Sequence, residues 1–452
     1  MAKITKTKVV KIEGCKGEAD ETCEIKKDVV LGQLIFDKCE TCYGTFNSRK
    51  ITTSAPKKVN KRQEALFDRM LQPKIDKVKP VEHLFPYHWY LSEGYPSPGI
   101  EMSPYTEFGS FSCGGGSTMG AKMAGFKSLG GVEIDPSVAK VYIKNHNPEY
   151  MFIQGVKEFK ESVRIDIKGF KKKYPKLFNL DVFTGSPPCS SFSMSGDREK
   201  KWGVEKVFRE GQALQVLDTL FFDTIELAAM LKPKIVCFEN VKGILFGEAK
   251  EYVRKIYSDL DEAGYYAKHF VLKASDMGVP QARERVFFIG MRKDIADKYF
   301  SESKLELFGG FPSINLTFCE PDISFRKATF EFWDRPRKPL TETAQQWFHK
   351  IEPGKSFAEK HTNGSLFNWM RVSATKPAPT LACENRDVYF HPEKEGVLND
   401  EEYLSCGSFP LDYDSGELDA KWFVGMSVPP VMQAQIMHKI RKSWLDVIYA
   451  KK

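Results

Sequence analysis

The chain has 452 residues, of which 42% are hydrophobic and 28% charged, and its formal net charge is +7. That length gives room for two or three domains with real cores. The balance excludes a wholly disordered chain, a collagen-like repeat and a small disulfide scaffold. There is no apolar run of the roughly 18 residues a membrane span needs. Met1 to Lys11 lacks the apolar core of a secretory leader, so the cytoplasm is the expected location.

In chain order, the charge comes first. Residues 1–80 hold 18 Lys+Arg and 11 Asp+Glu, a surplus equal to that of the whole chain. A basic arm of this kind either meets a polyanion, because phosphate contacts release counterions, or is a solvated lysine-rich tail. Four of the ten cysteines, Cys15, Cys23, Cys39 and Cys42, also fall here, and the next is Cys113. The Cys39-Glu-Thr-Cys42 spacing suits a thiolate knuckle, so the cluster reads as one structural zinc site or as four reduced thiols. Residues 51–80 form a lysine-rich connector with one amphipathic helix around Gln63–Leu71. Residues 81–104 are rich in proline and aromatics and read as an extended, docked connector.

From 105 to 292 strands and helices alternate. Strands are expected at Thr106–Phe111, Ser128–Ile134, Leu180–Thr184, Lys234–Glu239, Ala267–Leu272 and Val286–Met291. Helices are expected at Thr118–Gly125, Pro136–Asn145, Glu210–Leu231 and Tyr252–Ala263. The alternation implies an α/β fold with a mostly parallel, Rossmann-like sheet, whose ligands sit beyond the carboxyl ends of the strands. Residues 293–424 have no clear period and read as a second, smaller, irregular domain. The stretch 425–452, with a last helix over Val431–Ala450, returns to the first.

Four motifs sit at strand ends, and a fifth leads into a strand. Phe111-Ser-Cys-Gly-Gly-Gly116 joins a strand to a helix, which brings backbone and a helix N-terminus close to a nucleotide-like ligand. Glu133-Ile134-Asp135 ends the next strand, where an acid can bond a ribose or cap the following helix. Pro187-Pro188-Cys189 fixes a cysteine at a strand end as a candidate nucleophile. Glu239, in Phe238-Glu-Asn-Val241, ends another strand, where partial burial favours a carboxyl that can donate a proton. Gln281-Ala-Arg-Glu-Arg285 leads into the last strand and puts Gln281, Arg283 and Arg285 on one face.

In this order the motifs resemble the cytosine-C5 DNA methyltransferases. Further likenesses are Thr375-Lys-Pro-Ala-Pro-Thr380, Phe390-His-Pro-Glu393, Phe409-Pro-Leu-Asp-Tyr413 and Gly425-Met-Ser-Val-Pro429. The resemblance covers about 105–450, and it implies that Cys189 attacks C6 of a cytosine flipped out of double-stranded DNA. Glu239 would act at N3, and Arg285 at O2 with Arg283 in support. It further implies that S-adenosylmethionine, or a close sulfonium analogue, is surrounded by Phe111, Cys113, Gly114, Gly115 and Gly116. Glu133, Ile134, Gly155, Val156, Pro187, Met426 and Ser427 would complete that pocket. Target recognition would lie in 293–424. Ser191, Gln281, Arg335 and Arg371 are candidates for phosphate or base-edge contact, with Trp333, Arg337 and Lys338 beside them. A monomer is expected, and the resemblance is to phage or restriction-linked enzymes.

Five positions depart from the family's usual pattern: Gly109 for an acid, Cys113 for glycine, Ile134 for an aromatic, Gly155 for an aspartate and Met426 for asparagine. All lie on the cofactor side. They admit weaker binding of S-adenosylmethionine, or a sulfonium carrying a group other than methyl. Cytosine methylation in tRNA and a catalytically silent DNA-binding paralogue are the remaining alternatives.

Overall fold

The structure, a computed structural model, describes residues 83–96, 99–188, 219–246, 249–300, 310–360, 366, 368–383 and 387–450, together with a few strands outside them. The chain divides into two compact units, Met1–Lys77 and Val78–Lys452. In the first, Ile25–Leu31, Leu34–Cys39 and Thr45–Lys50 form an antiparallel three-stranded sheet. Cys39 ends its middle strand, whereas Cys15, Cys23, Cys42 and the expected helix at 63–71 lie outside the described residues.

The second unit is built on a seven-stranded sheet. Its strands are β1 (Thr106–Ser110), β2 (Lys127–Glu133), β3 (Tyr150–Ile153), β4 (Val182–Gly185), β5 (Ile235–Val241), β6 (Tyr265–Lys273) and β7 (Glu284–Arg292). Their spatial order is β3-β2-β1-β4-β5-β7-β6. The pairs among β1–β5 are parallel, and β7 runs antiparallel between β5 and β6. The chain runs outward from β1 to β3, then crosses to β4 on the other side of β1. The carboxyl ends of β1 and β4 therefore flank a topological switch point, where such sheets open a crevice.

The expected strands are present to within a few residues. Val182–Gly185 and Ile235–Phe238 are buried throughout, as strands covered on both faces must be. Strand β3 and helix α3 (Val156–Ile165) were not foreseen from the pattern. A four-residue strand is too short to show a period, and β3 is recognisable only by pairing Tyr150–Ile153 with Gly130–Glu133. The helix expected over Glu210–Leu231 is described only from Leu220 to Leu231 (α4), and Gln215–Val216 pairs as a strand with Glu205–Lys206.

One face of the sheet is covered by α1 (Gly116–Met123), α2 (Pro136–His146) and the C-terminal α6 (Pro430–Ile440), the other by α3, α4 and α5 (Ala249–Glu262). Helix α2 starts where Asp135 Oδ1 accepts from the amides of Ser137 and Val138, with Pro136 at its first position. Helix α6 lies hard against α1, because a Cβ on Gly120 would come within 2.5 Å of Gln433 Cβ and of the Pro430 carbonyl. The last helix is not continuous to Ala450. A π-turn over Arg441–Leu445 interrupts it, where Arg441 donates to the carbonyls of Glu101 and Ala124. Residues 310–424 add short helices and two-residue strands, with a small core of their own around Phe348, Phe357 and Phe390. Among the described residues no helix is long and apolar enough to cross a membrane.

Candidate active site

The turn after β1 is unusual in its backbone. Phe111, Cys113 and Gly115 have φ of 56°, 46° and 77°. Two of these are not glycine, and such residues cost about 1–3 kcal/mol each unless their surroundings hold them. The surroundings do. The Cys113 amide donates to Glu133 Oε2 at 2.9 Å, and the Ser112 amide to the Val132 carbonyl at 3.1 Å. The Gly114 carbonyl accepts from the Tyr413 hydroxyl at 3.0 Å and lies 3.3 Å from His146 Nε2. The turn is glycine-rich for packing reasons. A Cβ would come within 2.6 Å of Phe423 at Gly114, 2.0 Å of the His146 ring at Gly115 and 2.1 Å of the Val428 carbonyl at Gly116.

Glu133 is buried at the end of β2, and burial raises its pKa. Its second oxygen accepts from the Asp135 amide at 3.0 Å. Burial, with Glu133 close by, pushes the Cys113 thiol up to about 12, so it stays protonated. Ser427 donates to its sulfur at 3.6 Å. Ile134 and Gly155 face each other, with Ile134 Cδ1 3.4 Å from where a Gly155 Cβ would stand. That space is taken by the Glu158 carboxylate, 2.1 Å from the same point. At Gly109 the Glu107 carboxylate lies 3.4 Å from the corresponding point, fully buried and bonded to Thr184 Oγ1 at 2.6 Å. Each glycine that stands where the family usually has an acid thus has a glutamate carboxylate beside it. The signal in the sequence is a glutamate three residues on or two residues back.

Across the switch point, Arg285 Nε pairs with Glu239 Oε1 at 2.9 Å. Antiparallel pairing of β5 and β7 sets this, since Arg285 lies opposite Val241. Asn240, buried next to Glu239, donates from its amide to the Pro187 carbonyl at 3.1 Å. It thereby ties the end of β5 to the proline pair that precedes Cys189. The role of Asn240 does not show in its local motif, because its partner lies 53 positions away. Cys189 and Ser191 lie outside the described residues.

Several expected residues do other work. Gln281, expected at the DNA, is fully buried, and its amide bonds the Leu381 amide and the Cys406 carbonyl. Arg283 is buried as well and donates to the carbonyls of Leu381 and Gly425, at 3.2 and 2.9 Å. That fits a supporting place better than direct contact with a base, and burial lowers its pKa to about 9. Arg371, also expected at the DNA, stacks over Phe348 at 4.3 Å and donates to the carbonyls of Phe348, Ile351 and Pro392. Arg337 and Glu402 form a buried ion pair. Arg335 remains largely exposed, beside Phe332 and paired with Glu401. Among the described residues no group of three or more His, Cys, Asp or Glu could hold a metal.

Residues 108–442 match the family described as C-5 cytosine-specific DNA methylase. The type II methyltransferase M.Eco47II of Escherichia coli is 32% identical over 353 residues, covering 73% of this chain and 77% of that protein. The type II methyltransferase M.DdeI of Desulfomicrobium norvegicum is 25% identical over 382 residues, covering 73% and 86%. Among solved structures, a DNA modification methyltransferase encoded within an Escherichia coli prophage superposes with a TM-score of 0.55. It is 20% identical and covers 76% of this chain and 99% of its own, a likeness of fold. A mostly parallel sheet with its switch point at β1 and β4, the Arg285–Glu239 pair and the match over 108–442 lead to one conclusion: the chain belongs to the C-5 cytosine-specific DNA methylases and is a DNA cytosine methyltransferase.

Proposed function

We propose that the protein methylates C5 of a cytosine flipped out of double-stranded DNA, with Cys189 as covalent nucleophile and S-adenosylmethionine as methyl donor. The observation that carries this reading is the Arg285–Glu239 pair, at 2.9 Å, beside the Asn240 bond to Pro187. It puts a fixed carboxylate and a guanidinium next to the segment that leads into Cys189.

The Cys189 thiolate adds to C6, which raises electron density at C5, a poor nucleophile until C6 is saturated. Glu239 holds N3 and stabilises the enamine, while Arg285 keeps the carboxylate in place and reaches toward O2. Bound S-adenosylmethionine supplies an electrophilic methyl group. Water then takes the C5 proton, and the electron pair of that C–H bond forms the C5–C6 double bond and expels the Cys189 thiolate from C6, which restores the aromatic ring. Flipping is required because C6 is out of reach inside a stacked duplex.

The cofactor side fits an adenosyl sulfonium. A strained turn opens a helix N-terminus, Glu133 stands at the end of β2, and Glu158 stands beside Ile134 and Gly155. In this reading Glu133 holds the ribose and Glu158 supplies an acid for the adenine amine in place of the family's aspartate. A catalytic region at 105–292 is closed by 425–452, and 293–424 reads the target, with Arg335 on its surface. Residues 1–80 add phosphate contacts and hold one zinc, and the protein works as a cytoplasmic monomer. Mass spectrometry of nucleosides from DNA of cells expressing the protein tests the reaction. It should report 5-methylcytosine, and an unmodified cytosine pool or a different added mass would overturn it.

A further inference from the structure

The segment 83–96 lies before the match that begins at residue 108, yet it is built into the catalytic unit. Phe85 and Trp89 are in the core, and Trp89 Nε1 donates to the Ser408 carbonyl at 3.1 Å. The amides of Leu91 and Ser92 donate to the Asp412 carboxylate at 2.6 and 2.9 Å. Thus anchored, the segment brings Tyr95 to the back of the glycine-rich turn. Its hydroxyl lies 3.3 Å from Lys122 Nζ and 3.4 Å from His146 Nδ1.

The chemistry of these groups fixes the direction of the hydrogen bonds. The Gly114 carbonyl only accepts, so His146 Nε2 carries the hydrogen it donates there. In a neutral imidazole Nδ1 is then an acceptor, and the Tyr95 hydroxyl is the donor to it. That hydroxyl in turn accepts from the Lys122 ammonium. His146 is buried, with Tyr142 tilted over its ring at 4.5 Å. Its ring fills the space that any side chain at position 115 would need. The chain from Lys122 through Tyr95 and His146 ends on the carbonyl between two residues of positive φ, Cys113 and Gly115.

We propose that Tyr95 and His146 are positioning residues for the cofactor: from behind, they hold the Gly114 carbonyl so that the turn keeps the shape in which its main chain receives the ligand. This rests on the reading of that turn as the S-adenosylmethionine site. It extends the functional unit to a segment that the family match does not include.

The test is calorimetric titration of the full chain with S-adenosylhomocysteine, together with cofactor KM and kcat. Tyr95→Phe deletes the hydroxyl and keeps the ring, which packs against Trp89 at 5.8 Å. It should weaken binding about three- to tenfold, the range of one hydrogen bond. His146→Leu removes one of the two donors to the Gly114 carbonyl, leaving the Tyr413 hydroxyl, and should cost about three- to tenfold, whereas His146→Gln retains an amide donor and should recover most of that loss. The losses should fall on cofactor KM and not on kcat. Tyr95→Phe should add little to His146→Leu, because both act through one chain of bonds. Binding within twofold of the parent for Tyr95→Phe and His146→Leu would overturn the proposal. So would a loss that His146→Gln does not rescue, or one that falls equally on kcat. Tyr95→Phe decides the matter if His146→Leu fails to fold. Failure of the unaltered protein to bind S-adenosylhomocysteine would instead remove the cofactor reading, and the proposal with it.

Discussion

The two sides of the crevice are built by different means. On the side proposed to hold the base, at the ends of β4, β5 and β7, the structure joins particular side chains: Glu239 and Arg285 in contact, and Asn240 holding Pro187. On the proposed cofactor side, at the ends of β1, β2 and β3, the distinctive feature is the shape of the main chain. The turn over 111–116 is held by groups as distant in sequence as Tyr413 and Glu133. The covalent chemistry proposed at cytosine calls for a thiolate, a carboxylate and a guanidinium, groups that few residue types supply. A main-chain cradle needs only to be held, and several residue types can do that. The departures from the usual family pattern at Gly109, Cys113, Ile134 and Gly155 stand at or beside the ends of β1, β2 and β3, and Met426 precedes Ser427, which bonds Cys113, so all five fall on the proposed cofactor side.

The contrast breaks most sharply at Cys189. Cys189→Ala should abolish methylation and the stable adduct with DNA carrying 5-fluorocytosine. An adduct of undiminished yield in the variant would show that another group is the nucleophile. Next is Glu239→Gln, which keeps the shape but removes the proton that stabilises the enamine. It should lower turnover about a hundredfold to ten-thousandfold, and wild-type turnover would refute the role. These two substitutions test a side whose function depends on identity.

The contact between Glu239 and Arg285 is legible in outline because both residues lie in short local motifs. Pro187-Pro188, Glu239 and Arg285 could be named from the sequence, and so could the strands that present them. The partners were not legible. Arg283 meets Gly425 142 positions away, and the Gly114 carbonyl meets Tyr413 299 positions away. Residue type alone does not show that Gln281 and Arg371 bond carbonyls within the fold, because a glutamine and an arginine do so as readily as they contact DNA. The region 310–424 resisted reading for another reason. Its strands Lys355–Ser356, Met370–Arg371 and Tyr389–Phe390 are two residues long, too short for any period to show.

On the cofactor side the effects should be smaller, since no single residue carries the site. Glu158→Gln should weaken S-adenosylmethionine about three- to tenfold, the loss of one hydrogen bond to an exposed acid. Unchanged affinity would leave Glu158 as no more than a filler of the space beside Gly155. Outside the crevice, deleting residues 1–80 should flatten the plot of log affinity for DNA against log salt, because fewer phosphates would be neutralised. An unchanged slope would mean that the basic arm does not touch DNA. Elemental analysis of the full chain should find about one zinc if the four cysteines hold it. Less than about a tenth of an equivalent would favour plain thiols.

The smallest effect concerns how firmly the cofactor turn is held. His146 is buried against Gly115, and burial, with the charge of Lys122 adding to it, pushes its pKa from 6.5 down to about 3. The folded protein therefore keeps the imidazole neutral where the unfolded chain protonates it. The sign follows: the unfolded state binds more protons between pH 6.5 and 3, so this contribution to stability is fully present above 6.5 and is lost as the pH falls through that window. Between pH 7.5 and 5.5 the loss should be about 1 kcal/mol. Glutamine does not titrate, so His146→Gln should lose less stability than the parent over the same interval, by about that amount. Denaturant unfolding of both proteins at the two pH values gives the difference directly, and other groups titrating in the window cancel in the comparison. Equal losses in the two proteins would mean that His146 titrates normally. The imidazole would then be open to water, and the turn would not be clamped from behind by a dry, neutral ring.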